Sequence, residues 1–491
     1  MSLTSGINTI DALVYSSWNT TPHTGITLTY SFPRTLPAGA SADDARGFAP
    51  MSLLQQQAVR AALAEWAAVA NIVFVEVESD ANIVFASNDQ GDATDAYAYL
   101  PDAVARYTSA VFTNSRVPLD AYMAPGEAGF TILLHEIGHT LGLKHPGYYD
   151  GANDETGGPY LPGHLDSRAY TQMSYNGGGT LELVGKEGLT PMLYDIQAVQ
   201  YLYGANAAWH SGDDVYTFGA DSAPRTIWDG GGFNVFDFSA CTEGADVDLR
   251  PGELSSTCAG FDNIAIAYGA TIHKAVTGAG SDAIRASDAG SIIESGAGSD
   301  TIHGGAGDDR VSGGAGLDTL VLDGQAAQYT LSATADGWLV EGSGRDLAAG
   351  VERIRLSDTT MAIDIDGVAG QVYRLYHAAF ARTPDQGGLG YWIEAGDRGL
   401  SMASVAQAFI DSPEFSATYG ALDNASFVAR LYLNVLGRHP DAPGLAFHLN
   451  LLERGDTNRG VTLLSFSESV ENQQALAGVI GNGFAYTPYG A

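Results

Sequence analysis

Phe130-Thr131-Ile132-Leu133-Leu134-His135-Glu136-Ile137-Gly138-His139-Thr140-Leu141-Gly142-Leu143-Lys144-His145-Pro146 decides how the first part of this chain is read. The apolar run ahead of His135 predicts a helix from about Phe130 to Leu143 that packs against a core. Side chains four apart share one helix face, so His135 and His139 can reach a single ion. Gly142 stands where a left-handed turn ends a helix at little steric cost. The chain can then double back and present His145. Three neutral imidazoles leave a fourth position for water, which is the arrangement of a catalytic zinc site; structural sites close that position with protein. Zinc would bring the pKa of that water from about 15.7 toward about 7, and Glu136, next to the first ligand, is placed to take its proton.

Outward from this stretch, residues 1–206 read as a mixed α/β domain. Thr27 to Phe32 alternates as a strand. Ser52 and Gln55 have the spacing of a capping box, and Val59, Leu63, Trp66 and Val69 form the apolar face of the helix that follows. Asn71 to Val77 and Ile83 to Phe85 read as strands, and a further helix is expected near Pro191 to Tyr203.

From about 207 to 365 the texture changes to Gly, Asp and short β-rich runs. Residues 277–321 repeat every nine residues as Gly-Gly-x-Gly-x-Asp-x-apolar-x, a period that points to a β-solenoid. The best units carry Gly278, Gly280 and Asp282; Gly296, Gly298 and Asp300; Gly305, Gly307 and Asp309; Gly314, Gly316 and Asp318. Residues 286–294 keep the period but put Ser291 in the Asp position. The column Ile284, Ile293, Ile302, Val311, Leu320 is unbroken, and it predicts a core. Glycine carbonyls and Asp carboxylates would bind Ca²⁺. Two units make one coil, so Asp282, Asp300 and Asp318 should line one side, and Ser291 and Asp309 the other.

Residues 366–491 read as an all-α domain with an internal duplication at an offset of 56: Arg374-Leu375-Tyr376 recurs as Arg430-Leu431-Tyr432, and Arg382-Thr383-Pro384-Asp385 as Arg438-His439-Pro440-Asp441. Asp385 and Asp441 follow prolines and are expected to be turn residues.

The whole chain has 491 residues and a formal charge of −34. That balance argues against binding nucleic acid or anionic lipid surfaces; it suits hard cations, or serves solubility alone. No run is apolar and long enough to span a membrane. Met1 to Thr21 lacks a basic region followed by an apolar block, so no cleavable signal is expected. Cys241 and Cys258 either form a local disulfide or are two small buried hydrophobes.

The extended zinc motif followed by Pro146, with Met173-Ser174-Tyr175 downstream, resembles the serralysin branch of the metzincin metalloproteases. The resemblance implies a zincin-like α+β catalytic domain in which Met173 lies beneath the metal and Tyr175 is a fifth zinc ligand that then steadies the oxyanion. Ile10 to Leu13, Ala61 to Trp66, Ala98-Tyr99-Leu100-Pro101 and Leu193 to Ile196 also look like serralysin segments, and Ala98-Tyr99-Leu100 resembles the edge strand along which the family aligns substrate. The nine-residue units are similar to its RTX calcium repeats, which implies a parallel β-roll. Trp228 to Asn234 resembles another calcium loop, with Asp229, Gly231 and Asn234 at the ligand positions. The helical part resembles a duplicated domain of unknown function found in secreted RTX proteins, with surface or S-layer attachment, partner binding or export among its expected roles. The implied protein is a secreted, extracellular endopeptidase that acts on protein or peptide substrates, uses Zn²⁺ for catalysis and Ca²⁺ for structure, and leaves the cell leaderless by type I export. The alternative is a catalytically silent calcium-dependent surface protein on a zincin scaffold.

Overall fold

The computed structural model describes residues 3–92, 94–101, 109–149, 157–177, 186–219, 222–257 and 262–490. The chain forms two compact units, Met1–Gly278 and Ala279–Ala491.

In the first unit a five-stranded sheet has the order Ile72–Glu76, Ile26–Ser31, Ile83–Asn88, Ser109–Asn114, Ala96–Ala98. Its strands pair in parallel except the last, which runs antiparallel along the edge. The helix Leu53–Val69 begins as its sequence requires. Ser52 Oγ accepts the Gln55 N–H at 3.2 Å, and Gln55 Oε1 accepts the Ser52 N–H at 2.9 Å. Val59, Leu63, Trp66 and Val69 are all buried.

The predicted strand at 71–77 is Ile72–Glu76, and the helix near 191–203 is Leu193–Tyr203. Ser109–Asn114 was not foreseen. It is buried at every residue, so it lacks the alternation by which a half-buried strand is read. The edge strand lies two residues earlier than the resemblance implied, at Ala96–Ala98, although the Tyr99 N–H still donates to Ala110 O at 3.0 Å.

The motif helix spans Ala128–Thr140 and ends before the expected Leu143. The Leu143 N–H reaches back to Gly138 O at 3.0 Å and the Gly142 N–H to His139 O at 2.9 Å. This closes the helix as a Schellman turn, with Gly142 in the left-handed region at φ +100°. A Cβ on Gly142 would lie 2.1 Å from Ser16 O, so the bend admits no side chain.

In the second unit, strands eighteen residues apart stack in parallel. Ile284 pairs with Ile302, Ile302 with Leu320, and on the other face Ile293 with Val311. The whole apolar column is buried. Glycine is required where the coils touch: a Cβ on Gly316 would lie 1.6 Å from Gly298 O. The roll continues beyond the regular repeat. After the antiparallel hairpin Thr330–Thr334 and Gly337–Glu341, the strand Arg345–Ala349 pairs in parallel with Arg310–Ser312, and Arg353–Arg355 with Thr319–Val321.

Eight helices follow as two sets of four. Val368–Phe380, Gln386–Asp397, Met402–Ile410 and Pro413–Tyr419 are echoed by Asn424–Leu436, Ala442–Glu453, Arg459–Ser467 and Val470–Ile480. The duplicated residues have structural roles. Asp385 and Asp441 are helix N-caps that accept the Gly388 and Gly444 N–H groups at 2.6 and 2.7 Å. Arg382 and Arg438 lie over the Tyr376 and Tyr432 rings. The helical part is not a simple tail. The chain returns as the strand Phe484–Tyr486, which pairs antiparallel with Thr360–Ala362 at the edge of the roll. Buried Arg353 ties the two parts, pairing with Asp364 at 2.5 Å and with Asp397 at 2.9 Å.

Candidate functional site

The motif helix and the turn after it bring the three imidazoles together. His145 Nε2 lies 3.2 Å from His135 Nε2 and 3.1 Å from His139 Nε2. A tetrahedral zinc with bonds of about 2.0–2.1 Å sets its ligand nitrogens roughly 3.3–3.4 Å apart, close to what is seen. Ring orientation is fixed from behind. His135 Nδ1 meets Gln172 O at 2.7 Å and His139 Nδ1 meets Leu143 O at 2.8 Å. A carbonyl only accepts, so each Nδ1 carries the proton and each Nε2 offers a lone pair to the common point. Burial holds the His135 pKa well below its usual value and brings that of His139 to about 4, so both rings are neutral, as a metal ligand must be. Lone pairs converging this closely repel unless a cation lies between them; the donor set fits zinc.

Glu136 is buried, and its Oε2 has no hydrogen-bond partner. Burial pushes its pKa up to about 8. Met173 is fully buried, and a Cβ on Gly138 would lie 2.6 Å from its Sδ. Glycine at 138 therefore lets the methionine come up under the helix. Tyr175 is exposed, with its ring centroid 4.4 Å from His145 and 4.9 Å from the stacked Tyr149.

The residue that sets this turn was not singled out from the sequence. Asp195, fully buried, accepts the Gln172 N–H at 2.7 Å, the Met192 N–H at 2.9 Å and the Thr171 hydroxyl. It thus holds the segment whose Gln172 carbonyl orients His135. Burial raises its pKa to about 6. The carboxylate lies more than twenty residues from the turn it binds, which gives no local spacing signal.

In the roll the aspartates form the expected rows. The Asp282 N–H donates to Asp300 Oδ1 and the Asp300 N–H to Asp318 Oδ1, both at 2.9 Å. On the other side the Ser291 N–H donates to Asp309 Oδ1 at 2.8 Å. Each row gains one acid beyond the pattern. The Asp318 N–H meets Glu352 Oε2 at 2.8 Å, and the Asp309 N–H meets Asp346 Oδ1 at 3.0 Å. A signal for both exists: Gly342-x-Gly344-x-Asp346-x-Ala348 and Glu352-x-Ile354 repeat the unit after the hairpin. Asp300 and Asp318 each bury an Oδ2 with no hydrogen-bond partner, whereas Asp309 uses its second oxygen for the Gly305 N–H. Burial raises Asp318 and Asp346 to about 6 and Glu352 to about 7. Buried carboxylate oxygens with no donor fit calcium.

The loop at 228–234 is different. Asp229, Gly231 and Asn234 do come together. However, Asn234 Nδ2 donates to Gly231 O at 3.3 Å and to Thr271 O at 3.1 Å, and Tyr216 donates to Asp229 Oδ2 at 2.6 Å. An amide thus stands where a cation would. Cys241 is buried; Cys258 lies outside the described residues.

Residues 50–151 match the family model described as Matrixin, and residues 194–369 the one described as Peptidase M10 serralysin C terminal. Residues 369–416 and 406–476 match a domain of unknown function, DUF4214. The metallopeptidase AprA of Pseudomonas marginalis is 36% identical over 302 residues, which cover 55% of this chain and 62% of that protein. Both the zinc-motif region and the repeat region of this chain are thus similar to those of serralysin-type metzincins.

Serralysin of Proteus mirabilis is 34% identical over 275 residues, covering 48% of this chain and 54% of its own length. Serralysin A of Dickeya chrysanthemi is 34% identical over 293 residues, with 54% and 60% covered. The chain thus spans about three-fifths of the length of the curated relatives it matches. Among the described residues His135, His139 and His145 are the one group of three His, Cys, Asp or Glu side chains whose ligand atoms all lie within 4.8 Å of one another, and no helix is long and apolar enough to cross a membrane.

Proposed function

We propose that this chain is a secreted, zinc-dependent endopeptidase that cleaves extracellular proteins and is stabilised by calcium. The observation that carries the reading is the convergence of three imidazoles, with His145 Nε2 at 3.2 and 3.1 Å from the other two Nε2 atoms and both helical rings locked by backbone carbonyls. Zinc bound there supplies Lewis acidity and lowers the pKa of water in its open position. Glu136 is the general base: its buried carboxyl would hold the proton taken from the attacking water and return it to the leaving amine. Its raised pKa suits a group that must hold a proton between the two steps. Tyr175, exposed beside His145, would help hold the ion and would donate to the developing oxyanion. The edge strand Ala96–Ala98 receives the substrate as an added antiparallel strand, which demands little of its sequence.

Residues 1–206 make up the catalytic part, 207–365 the calcium roll, and 366–491 the helical module. The calcium ligands are the two aspartate rows with Asp346 and Glu352, together with the loop carbonyls of Gly278, Gly280, Gly296, Gly298, Gly305, Gly307, Gly314 and Gly316. Asp229, Gly231 and Asn234 form a weak further site, since the Asn234 amide already occupies the Gly231 carbonyl. Extracellular calcium modules bind at roughly 10⁻⁴ to 10⁻³ M, so the roll folds after type I export. The helical module is the candidate for surface attachment. A silent scaffold would have no use for the buried Glu136 carboxyl placed beside the triad.

The test is casein digestion by zinc-loaded protein, with and without chelator, beside Glu136→Ala. The reading expects activity that is lost in the chelated sample and falls by at least about 10²-fold in the variant. Equal digestion by the variant would sink it.

A further inference from the structure

Beside the imidazoles lies a cavity of about 320 Å³, walled by Thr131, Ile132 and Glu136 of the motif helix, by Asp95 at the head of the edge strand, and by Arg168 and Gln172. Its buried wall is polar. Thr131 is 6% exposed, and its Oγ1 has no hydrogen-bond partner; Gln172 is buried and tied to Thr190 O at 2.8 Å. The two outer charges are unequal in reach. Asp95 is exposed at the strand. Arg168 has its backbone fixed by the bond from its N–H to Asn176 O at 3.1 Å. Arg168 lines the same cavity as His135, so its charge faces the space beside the imidazoles. Its ion pair with Glu187 is long, at 3.5 Å, and solvent-exposed on both sides. Such a pair is weak and easily exchanged for a better partner. A guanidinium has five donors in a fork that matches a carboxylate. In a chain of formal charge −34, a cation here departs from the general field.

We propose that Arg168 makes this cavity a subsite for an acidic side chain, with the Thr131 hydroxyl as second donor, so that preferred substrates carry Glu or Asp beside the scissile bond. The inference rests on the peptidase reading and names its substrate class. It is tested without turnover, on the zinc-loaded Glu136→Ala chain, by fluorescence anisotropy. The ligands are labelled peptides in which each position in turn is Glu, Gln or Lys. At one position Glu should bind about threefold tighter than Gln and about tenfold tighter than Lys. Adding Arg168→Glu should reverse the order of Glu and Lys, and Arg168→Gln should level it. Zinc content, measured alongside, confirms that the site stays intact. Equal affinities at every position, an order untouched by Arg168→Glu, or no binding of any peptide would overturn the proposal. If the peptides bind as expected but the wild-type chain cleaves none of them, the peptidase reading fails instead.

Discussion

The imidazole cluster and the aspartate rows both read as metal sites, yet they are built in opposite ways. At the cluster, two rings are already held by carbonyl acceptors, and the turn beneath them is fixed by Asp195. Zinc enters a site whose shape the protein has set. In the rows, carboxylates are buried before anything compensates them, and Asp300 and Asp318 each keep an oxygen that no donor reaches. Calcium there offsets a cost that the fold alone does not meet. On the proposed reading, zinc would add chemistry to a finished structure, while calcium would complete one.

The largest expected effect is on calcium removal. Hydrogen exchange should show the strands from Ala283 to Val321 losing protection together, while the helix Ala128–Thr140 keeps its own. The pH dependence has a definite sign. Folded-state pKa values of about 6 for Asp318 and Asp346 and about 7 for Glu352 lie above those of the unfolded chain. The calcium-free roll therefore holds protons that the unfolded chain releases, and its stability falls as pH rises from about 4 through 7. Calorimetry in buffers of different ionisation enthalpy should show proton release when calcium binds near pH 6.

Next in size is Arg353→Met. It leaves Asp364 and Asp397 buried without their cation, and should cost about 3 kcal/mol in denaturant unfolding of the roll and helical part. Asp300→Asn is a sharper probe because its sign changes. It should weaken calcium binding at least tenfold, yet leave the calcium-free roll as stable or more so, since a neutral amide is cheaper to bury. Smallest is Gly138→Ala, where a methyl 2.6 Å from Met173 Sδ forces the floor of the site to shift. About 1–3 kcal/mol of overpacking is expected in thermal unfolding, with zinc still bound.

What the sequence discloses follows the same division. The imidazole cluster is local: two ligands on one helical turn, a glycine bend, then the third, all within eleven residues. The roll is periodic, so the buried column Ile284 to Leu320 and the two rows are legible at a glance. Legibility fails where contacts become non-local. Asp346 and Glu352 continue the rows, but the hairpin at Thr330–Glu341 breaks the count. Asp195 holds a turn far upstream. Ser109–Asn114 is covered on both faces and has no alternation. The strand Phe484–Tyr486 follows eight helices, and only its partner Thr360–Ala362 makes it a strand.

The most direct test of the zinc centre is X-ray absorption at the zinc K-edge on the purified chain, with metal content measured on the same sample. The account predicts one zinc per chain, imidazole nitrogens at about 2.0–2.1 Å and an oxygen shell that exchanges with solvent. A sulfur ligand, a fourth side chain closing the shell, or zinc that still binds fully in His135→Ala would contradict it.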